Sequence, residues 1–534
     1  MTDTGTSAGA TSQFTNPEAL ARLKRRHRAE RRFKAYGQAA IGVAVAMLVI
    51  LILSIGSQAL SAFTHHKVTF DLTLTPDVVA PNGVGDTQAI AENVSGFYRL
   101  VREDLDATFP EAEASRRLTT QLNGLVTRLA VLPMARQTAD HPTRIGETVT
   151  YTAALSDDMD LFLKGQVSDQ VRLTTGPARE ASVLDDGQVR LAGASDAFAN
   201  LVEQIRNTSA EAAETDSPRS ILLQRGTSVL RTYPDRVADA AIEGTVMTGT
   251  LEDLLNGPLE TRIIELPEAE RNVTDRQVAW TLALQEMGRI ERRLNWSLLT
   301  NADSTYPEIA GVVAALVGSI FTMMITALFA VPVGIAAALY LEEFAPKNRI
   351  TDTIEVNINN LAAVPSIVFG LLGAAVFLNL FGLPRSAPLV GGLVLGLLTL
   401  PTIIIASRAA LRSVPPSIRA AALGVGASHT QAVFHHVLPL AAPGILTGSI
   451  IGMARALGET APLLLIGMVA FVAEVPTGPT DEATALPVLI FKWSTGAERA
   501  WEPNTAAAII VLLLFMILMN AVAVLLRRRF ERRW

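Results

Sequence analysis

An arginine and a glutamate four residues apart, Arg455 and Glu459, lie within an apolar stretch from about Ala441 to Phe471. At helical spacing, residues i and i+4 share one face. A charge at the centre of such a stretch costs about 2.5–3.5 kcal/mol or more in hydrocarbon, so it generally faces an interior cavity or another charge. Two readings stay open. In one, the residues form a structural ion pair. In the other, Arg455 offers the planar fork of guanidinium donors to an anionic substrate, and Glu459 holds the guanidinium and moderates its field. Thr460 and Pro462 could open the helix locally and free backbone groups towards that path.

Other chemistry finds few carriers. There is no Cys, which excludes disulfides, thiolate metal sites and a thiol nucleophile. His65 and His66 stand beside an apolar stretch, and His141 is alone. No His-Glu-x-x-His, Gly-x-Ser-x-Gly or Asp-x-Asp-x-Asp-Gly pattern occurs. Asp157-Asp158-Met159-Asp160 looks like a fragment of a calcium loop but lacks its Gly and its distant Glu, so it reads as a solvated acidic loop. No Gly-x-x-x-x-Gly-Lys-Ser/Thr phosphate cradle is present, so ATP chemistry would fall to another polypeptide. No cofactor or metal is expected on this chain.

The elements that must position Arg455 and Glu459 are membrane helices. A helix needs about 20 mainly apolar residues to span a bilayer, and six stretches qualify: about Gly37–Phe63, Ile309–Leu341, Leu361–Leu380, Leu389–Ala406, Ala441–Phe471 and Ala506–Leu526. The first is longer than a secretory signal core and reads as an uncleaved anchor. Pro365 implies a kink in the third. The basic cluster from Lys24 to Lys34 and the terminal Arg527, Arg528, Arg529, Arg532 and Arg533 set both termini in the cytoplasm, and Lys347, Arg349, Arg408, Arg412 and Arg419 fall on the same side. These runs read as topology determinants, not as a nucleic-acid site.

Between the first two spans, Thr64 to Tyr306 holds 36 Asp+Glu and 23 Lys+Arg, a net of −13 against −6 for the whole chain. This acidic segment is long enough for its own core and lies on the extracytoplasmic side. Val68, Phe70, Leu72 and Leu74 alternate as a strand. Asp185-Asp186-Gly187 reads as a hairpin turn. Phe198, Leu201, Val202 and Ile205 recur at helical spacing, as do Trp280, Leu284, Met287, Ile290 and Leu294. The expected organisation is a tail over 1–36, disordered up to Ala21; a span over 37–63; an α+β extracytoplasmic domain over 64–306; and an all-α membrane core with five further spans over 307–534.

A second constellation lies between the fourth and fifth spans, over 411–439. Ala420-Ala421-Ala422 lets a partner surface approach closely, Gly424 and Gly426 can take positive φ, and Leu438-Pro439 opens the next helix. This spacing resembles the coupling loop of ABC importer permeases, with Ala420 where that family has Glu and His436 where it has Ile. Arg455-Ala-Leu-Gly-Glu-Thr-Ala-Pro462, Leu341-Glu342-Glu343-Phe344 and the stretch Asn357–Gly370 are similar to phosphate-importer permeases of the PstA type. The resemblance covers the first apolar helix and about Asn301 onward.

The resemblance implies a type I importer (MetI-like) permease core in a bacterial inner membrane. Its partners would be a second permease subunit of the PstC type, a dimeric ATPase that uses ATP and Mg, an extracytoplasmic phosphate-binding protein, and membrane lipid. It implies that Arg455, Glu459 and Thr460 border the substrate path, and that Ala420, Ala421, Ala422, Gly424, Gly426, Leu438 and Pro439 belong to the ATPase-coupling loop. The rival expectations are a permease for sulfate, molybdate or another small solute, and a membrane-anchored sensor that uses the extracytoplasmic domain. The topology has a direct check. Single cysteines at Ser195 and Ala427 should react with an impermeant thiol reagent from opposite sides of the membrane; labelling of both from outside contradicts six crossings.

Overall fold

A computed structural model describes residues 17–530 apart from 168–169, 175–177, 179, 185–187, 193–199, 201–202, 204–218, 239–240 and 469–470. The chain divides into a unit ending at Gln58 and one beginning at Ala59. The first apolar helix already starts at Pro17 and runs to Ala62, so the basic cluster lies on a helix instead of a tail. Lys24 to Lys34 thus continue the helix that becomes apolar after Gly37, with Lys34 bonded to Glu30 at 2.6 Å, an i, i+4 pair. Of the stretch expected to be disordered, Pro17 to Ala21 is helical, and the residues before it lie outside the described ones.

The acidic segment folds as an α+β unit. Thr64–Thr73 is a strand whose Val68, Phe70 and Leu72 point into a core, as their alternation requires. It is the centre of a three-stranded antiparallel sheet, with Ile290–Leu294 on one side and Thr148–Ala154 on the other. The strand leading in from the first apolar helix therefore pairs with the strand leading out towards the second. Ile290 and Leu294 were expected on a helix with Trp280 and Leu284. That helix is Asp275–Glu286, opened by a Thr274/Gln277 capping box. It stops because Gly288 adopts φ +71°, which reverses the chain into the strand. Trp280 is fully buried, with its ring 6.1 Å from that of Phe109.

A seven-stranded antiparallel sheet completes the unit. Its strands Glu180–Val183 and Val189–Ala192 pair with Val183 opposite Val189, flanking the expected hairpin turn. The turn residues 185–187, and Phe198, Leu201, Val202 and Ile205, lie outside the described residues.

The Asp157–Asp160 fragment is no solvated loop. It opens the helix Asp157–Leu163, and Asp160 is only 3% exposed. The Asp160 carboxylate accepts from the His66 backbone N–H at 2.8 Å, sits 2.8 Å from His66 Nδ1, and is bonded by Lys164 Nζ. His65 Nδ1 lies 3.2 Å away. Burial alone would raise this carboxyl, but His65, His66 and Lys164 together outweigh it and hold it well below the usual carboxylate range. Burial also pushes the His65 imidazole down.

The remaining helices form the apolar core. Val313–Leu339, Pro388–Arg412 and Leu438–Leu457 pack through small residues. A Cβ on Gly392 would come within 2.6 Å of Ile325 Cβ, and one on Gly448 within 2.3 Å of Ala406 Cβ. Close approach of this kind substitutes for the hydrophobic drive that is missing between helices in lipid. Among the described residues, five helices are long and apolar enough to cross a membrane. The expected third span is the exception. Arg349–Ala362 and Ser366–Leu380 meet at 103°, so Pro365 breaks the helix outright instead of kinking it. Pro365 takes φ −56° and ψ 139° and begins the second segment, and a residue before proline is pushed out of helical space. The fifth span is displaced as well. It starts at His429, where Ser428 and Gln431 form a capping box, and ends at Leu457 instead of Phe471.

The Asp160 network predicts a stability effect. Asp160→Asn leaves Lys164 buried without its counter-ion and should cost about 3–5 kcal/mol. A thermal melt of the purified chain reads this as a lower midpoint. Because the native carboxyl is held low, its contribution is present above its ordinary value of 3.8 and is lost as the pH falls below it. The variant should therefore lose that part of the acid dependence.

Candidate functional site

Arg455 occupies the last turn of Leu438–Leu457. Pro462 lacks the N–H that would bond the Gly458 carbonyl, so the helix cannot continue. Gly458 caps it, Glu459 lies in the link beyond, and Thr460 stands at the N-cap of the short helix Ala461–Leu465. The charged pair is therefore not carried on one helix face, as its spacing suggested. Arg455 Nε and Glu459 Oε1 are still brought to 3.6 Å, an ion pair too long for a hydrogen bond. Neither charge is buried as expected: the side chains are 50% and 21% exposed. The guanidinium is held nearby and remains available to a further anion.

The two helix interruptions meet. Gly370, on the segment that follows Pro365, has no room for a side chain, since a Cβ there would lie 2.8 Å from Pro462 Cα and 2.9 Å from Leu465 Cδ1. Gly370 thus lets the broken third element close on the chain immediately after Glu459. Backbone freed at such breaks is tolerated at membrane depth where it is buried in protein or lines a cavity.

The second constellation forms an exposed knob. Pro416–Gly424 is a helix with Ala420 and Ala421 exposed and Ala422 buried, so only two of the three small residues offer a surface. Gly424 ends the helix with ordinary backbone, and Gly426 alone takes the left-handed conformation, at φ +91°. Val425 between them is 87% exposed, and Leu423 is also open. Leu438 and Pro439 do not start a separate element. They continue the helix from His429 through a wider turn, Val433–Val437, in which the Leu438 N–H reaches the Val433 carbonyl. Such a bulge accommodates the proline's missing N–H and its ring.

Sequence reasoning missed what fixes this knob. Arg419 donates to Glu343 from Nη2 at 2.5 Å and from Nε at 3.2 Å, and its remaining donors reach the carbonyls of Val414 and Leu411. Arg412 Nε donates to Glu342 at 2.8 Å, and Arg408 bridges Glu342 and Glu355. His429 Nε2 lies 2.8 Å from the Glu343 carbonyl oxygen, and its ring meets Phe344 edge-on at 5.3 Å. The turn Tyr340–Phe344 thereby ties the knob to the ends of two long helices. The signal was present as two adjacent glutamates closing one helix and arginines at 408 and 412, one helical turn apart on the next.

Residues 330–534 match the family described as binding-protein-dependent transport system inner membrane component, and residues 20–172 match a domain of unknown function, DUF3333. A probable ABC transporter permease protein, YqgI, of Bacillus subtilis is 34% identical over 32% of this chain and 58% of its own length. The phosphate transport system permease protein PstA of Mycobacterium leprae is 36% identical over 36% of this chain and 62% of its own length. The chain thus spans about three fifths of these relatives. An inward-facing structure of the MetNI methionine ABC transporter aligns with 40% of this chain and 95% of its own at 19% identity and a TM-score of 0.31, a likeness that carries no argument of its own. The family match and the apolar helices make this a multi-pass membrane protein. Residues 330–534 are thus similar to the binding-protein-dependent transport system inner membrane components, and among those to permeases of the PstA type.

Proposed function

We propose that the chain is a permease subunit of an ATP-driven phosphate importer. The observation that carries this reading is a half-exposed guanidinium beside two packed helix breaks, in a core whose exposed knob is braced by ion pairs. The guanidinium provides a site for an oxyanion within the apolar core, where a planar fork of donors suits phosphate. Glu459 at 3.6 Å keeps Arg455 aimed and weakens its hold, so that an anion can leave as well as enter.

In this reading the partners are a second permease of the PstC type, a dimeric ATPase and an extracytoplasmic phosphate-binding protein. ATP and Mg belong to the ATPase, and this chain is not itself an enzyme. The exposed Ala420, Ala421 and Val425 meet the ATPase. Closure of the ATPase dimer moves the knob, the brace passes that motion to the long helices, and the path opens outward; hydrolysis resets it inward. Both termini lie in the cytoplasm of a bacterial inner membrane, with 64–306 outside. Domain limits of 1–36, 37–63, 64–306 and 307–534, with the coupling loop over 411–439, follow the same scheme. A sulfate or molybdate permease would use the same machinery with another oxyanion.

Arg455→Gln should abolish phosphate uptake in assembled complexes while binding of the ATPase survives. Arg455→Lys should restore only part of it, because a point charge replaces a fork. Near-normal uptake in Arg455→Gln with Glu459→Gln would leave the residues as a packing pair and remove Arg455 from the path. The brace is tested separately. Arg419→Gln should leave the chain inserted and the ATPase bound, yet lower uptake per ATP hydrolysed roughly tenfold, because the loss of a part-buried charge pair costs enough to free the knob. Exchanging the charges, Arg419→Glu with Glu343→Arg, should recover part of the coupling. An unchanged ratio of uptake to hydrolysis in Arg419→Gln would refute the brace.

A further inference from the structure

Ser228–Ala238 and Ala241–Thr248 are antiparallel neighbours in the seven-stranded sheet, with Arg231 opposite Thr245. Side chains alternate across a strand, so Tyr233 shares the face of Arg231, and Met247 that of Thr245. Leu230 and Val246, also paired, point the other way into a separate apolar cluster. On the face of Arg231 a cavity of about 580 Å³ lies between the sheet, the start of the helix Asp275–Glu286 and the helix Arg116–Asn123. Arg117, Arg231 and Arg276 line it, and Glu268 is the one acid among its lining residues.

These guanidiniums are under-used. Arg117 is exposed and has no partner among the described residues. Arg276 donates from Nη1 to the Met247 carbonyl. Arg231 Nη1 lies 3.4 Å from Glu268 and 3.6 Å from Asp275, both beyond the usual length of about 2.7–2.9 Å for a charged pair. Both acids are engaged elsewhere. Asp275 is held by Arg271 at 2.7 Å and by Ser220 at 2.7 Å, and Glu268 accepts from the Asp275 backbone N–H at 3.1 Å. The Nη2 groups of Arg231 and Arg276 have no partner among the described residues and are not buried. Burial pushes the Arg276 guanidinium down, against the pull of Glu111, and the nearby Arg231 adds to the push.

Like charges that repel one another and keep open donors are completed by an anion. Three arginines against one glutamate leave the wall with an excess of positive charge, in a segment whose net charge is −13. A phosphomonoester carries about −1.5 to −2 at neutral pH and three acceptor oxygens, which suits three planar forks of donors. The volume falls in the range of roughly 300–1,000 Å³ typical of small-molecule sites, so a bare oxyanion would leave most of it empty. We propose that this cavity binds a phosphomonoester, its phosphate held by Arg117, Arg231 and Arg276 and its organic group set against Leu118, Met247 and Pro267. Glu268 opposes the anion and tempers its hold. The source of the phosphate is either a free ester or a phosphatidic acid headgroup. No residue of the apolar core lines the cavity, so the inference is independent of the transport reading.

The test is calorimetric titration of the purified full chain in detergent at neutral pH. The chain carries Arg455→Gln, so that binding at Arg455 does not enter the signal. The probes are glycerol 3-phosphate, phenyl phosphate and inorganic phosphate. At least one ester should bind roughly tenfold tighter than inorganic phosphate, because only an ester covers the apolar part of the wall. Arg117→Gln, at an exposed position that puts folding at little risk, should weaken ester binding roughly tenfold. Glu268→Gln should tighten it, which the loss of a purely structural contact would not do. Competition by short-chain phosphatidic acid assigns the site to a headgroup, and its absence assigns it to a free ester. Inorganic phosphate binding as tightly as both esters would mean a simple anion site and would overturn the proposal. So would failure of both esters to bind, unchanged ester binding in Arg117→Gln, or weaker binding in Glu268→Gln at an unchanged melting midpoint.

Discussion

Hydrocarbon offers no partner to a peptide group, so every break in a membrane helix must be covered by the protein itself. This constraint organises the apolar core. The chain breaks at Pro365 and again between Gly458 and Thr460, and the two breaks are covered by each other through Gly370 and Pro462. Arg455 and Glu459 flank the second break. An uninterrupted helix would have bonded all its backbone groups. The prolines thus create the place where a charged side chain has a use, and the glycine makes the place stable enough to persist.

Charge on this chain falls into two kinds. Asp160, and Glu343 with Arg419, sit in multidentate arrangements with little exposure, and they fix one element against another. Arg455 and Glu459 are loose, partly open and bonded by distance alone. The first kind holds geometry and the second leaves capacity for a ligand. In the proposed transport reading, the brace at the knob and the free fork near the helix breaks would be the two parts of a coupled pathway. A continuous run of packed helices, Val313–Leu339, Pro388–Arg412 and Leu438–Leu457, lies between them.

The sequence made the helices legible where apolar runs were long, because length and hydropathy alone decide that a segment can span. It misplaced the ends. Capping at Ser428 and termination by Gly458 and Pro462 shifted the fifth helix by about a dozen residues at either end, and apolarity carries no record of either signal. Pro365 was recognised as a disturbance, but its size was not, since a kink and a 103° break begin with the same missing N–H. Arg455 and Glu459 were found by spacing and do meet, although through a link and not along a helix. Asp160 was read as part of a solvated loop although Lys164 is four residues on, because its His66 partner lies 94 residues away, and Glu343 was given no ion pair because Arg419 lies 76 residues away. Long-range pairing of that kind leaves no local trace, and the same holds for the strand Ile290–Leu294, which continued a helical pattern until Gly288 turned the chain.

The most direct measurement is ATP-driven uptake in proteoliposomes that contain this chain together with its partner permease and ATPase, supplied with the binding protein. Labelled phosphate, sulfate and molybdate would be offered at equal concentration. The expected result is accumulation of phosphate alone, dependent on ATP and on the presence of this chain. Equal accumulation of sulfate or molybdate, or phosphate uptake that persists when this chain is omitted, would contradict a phosphate path built around Arg455.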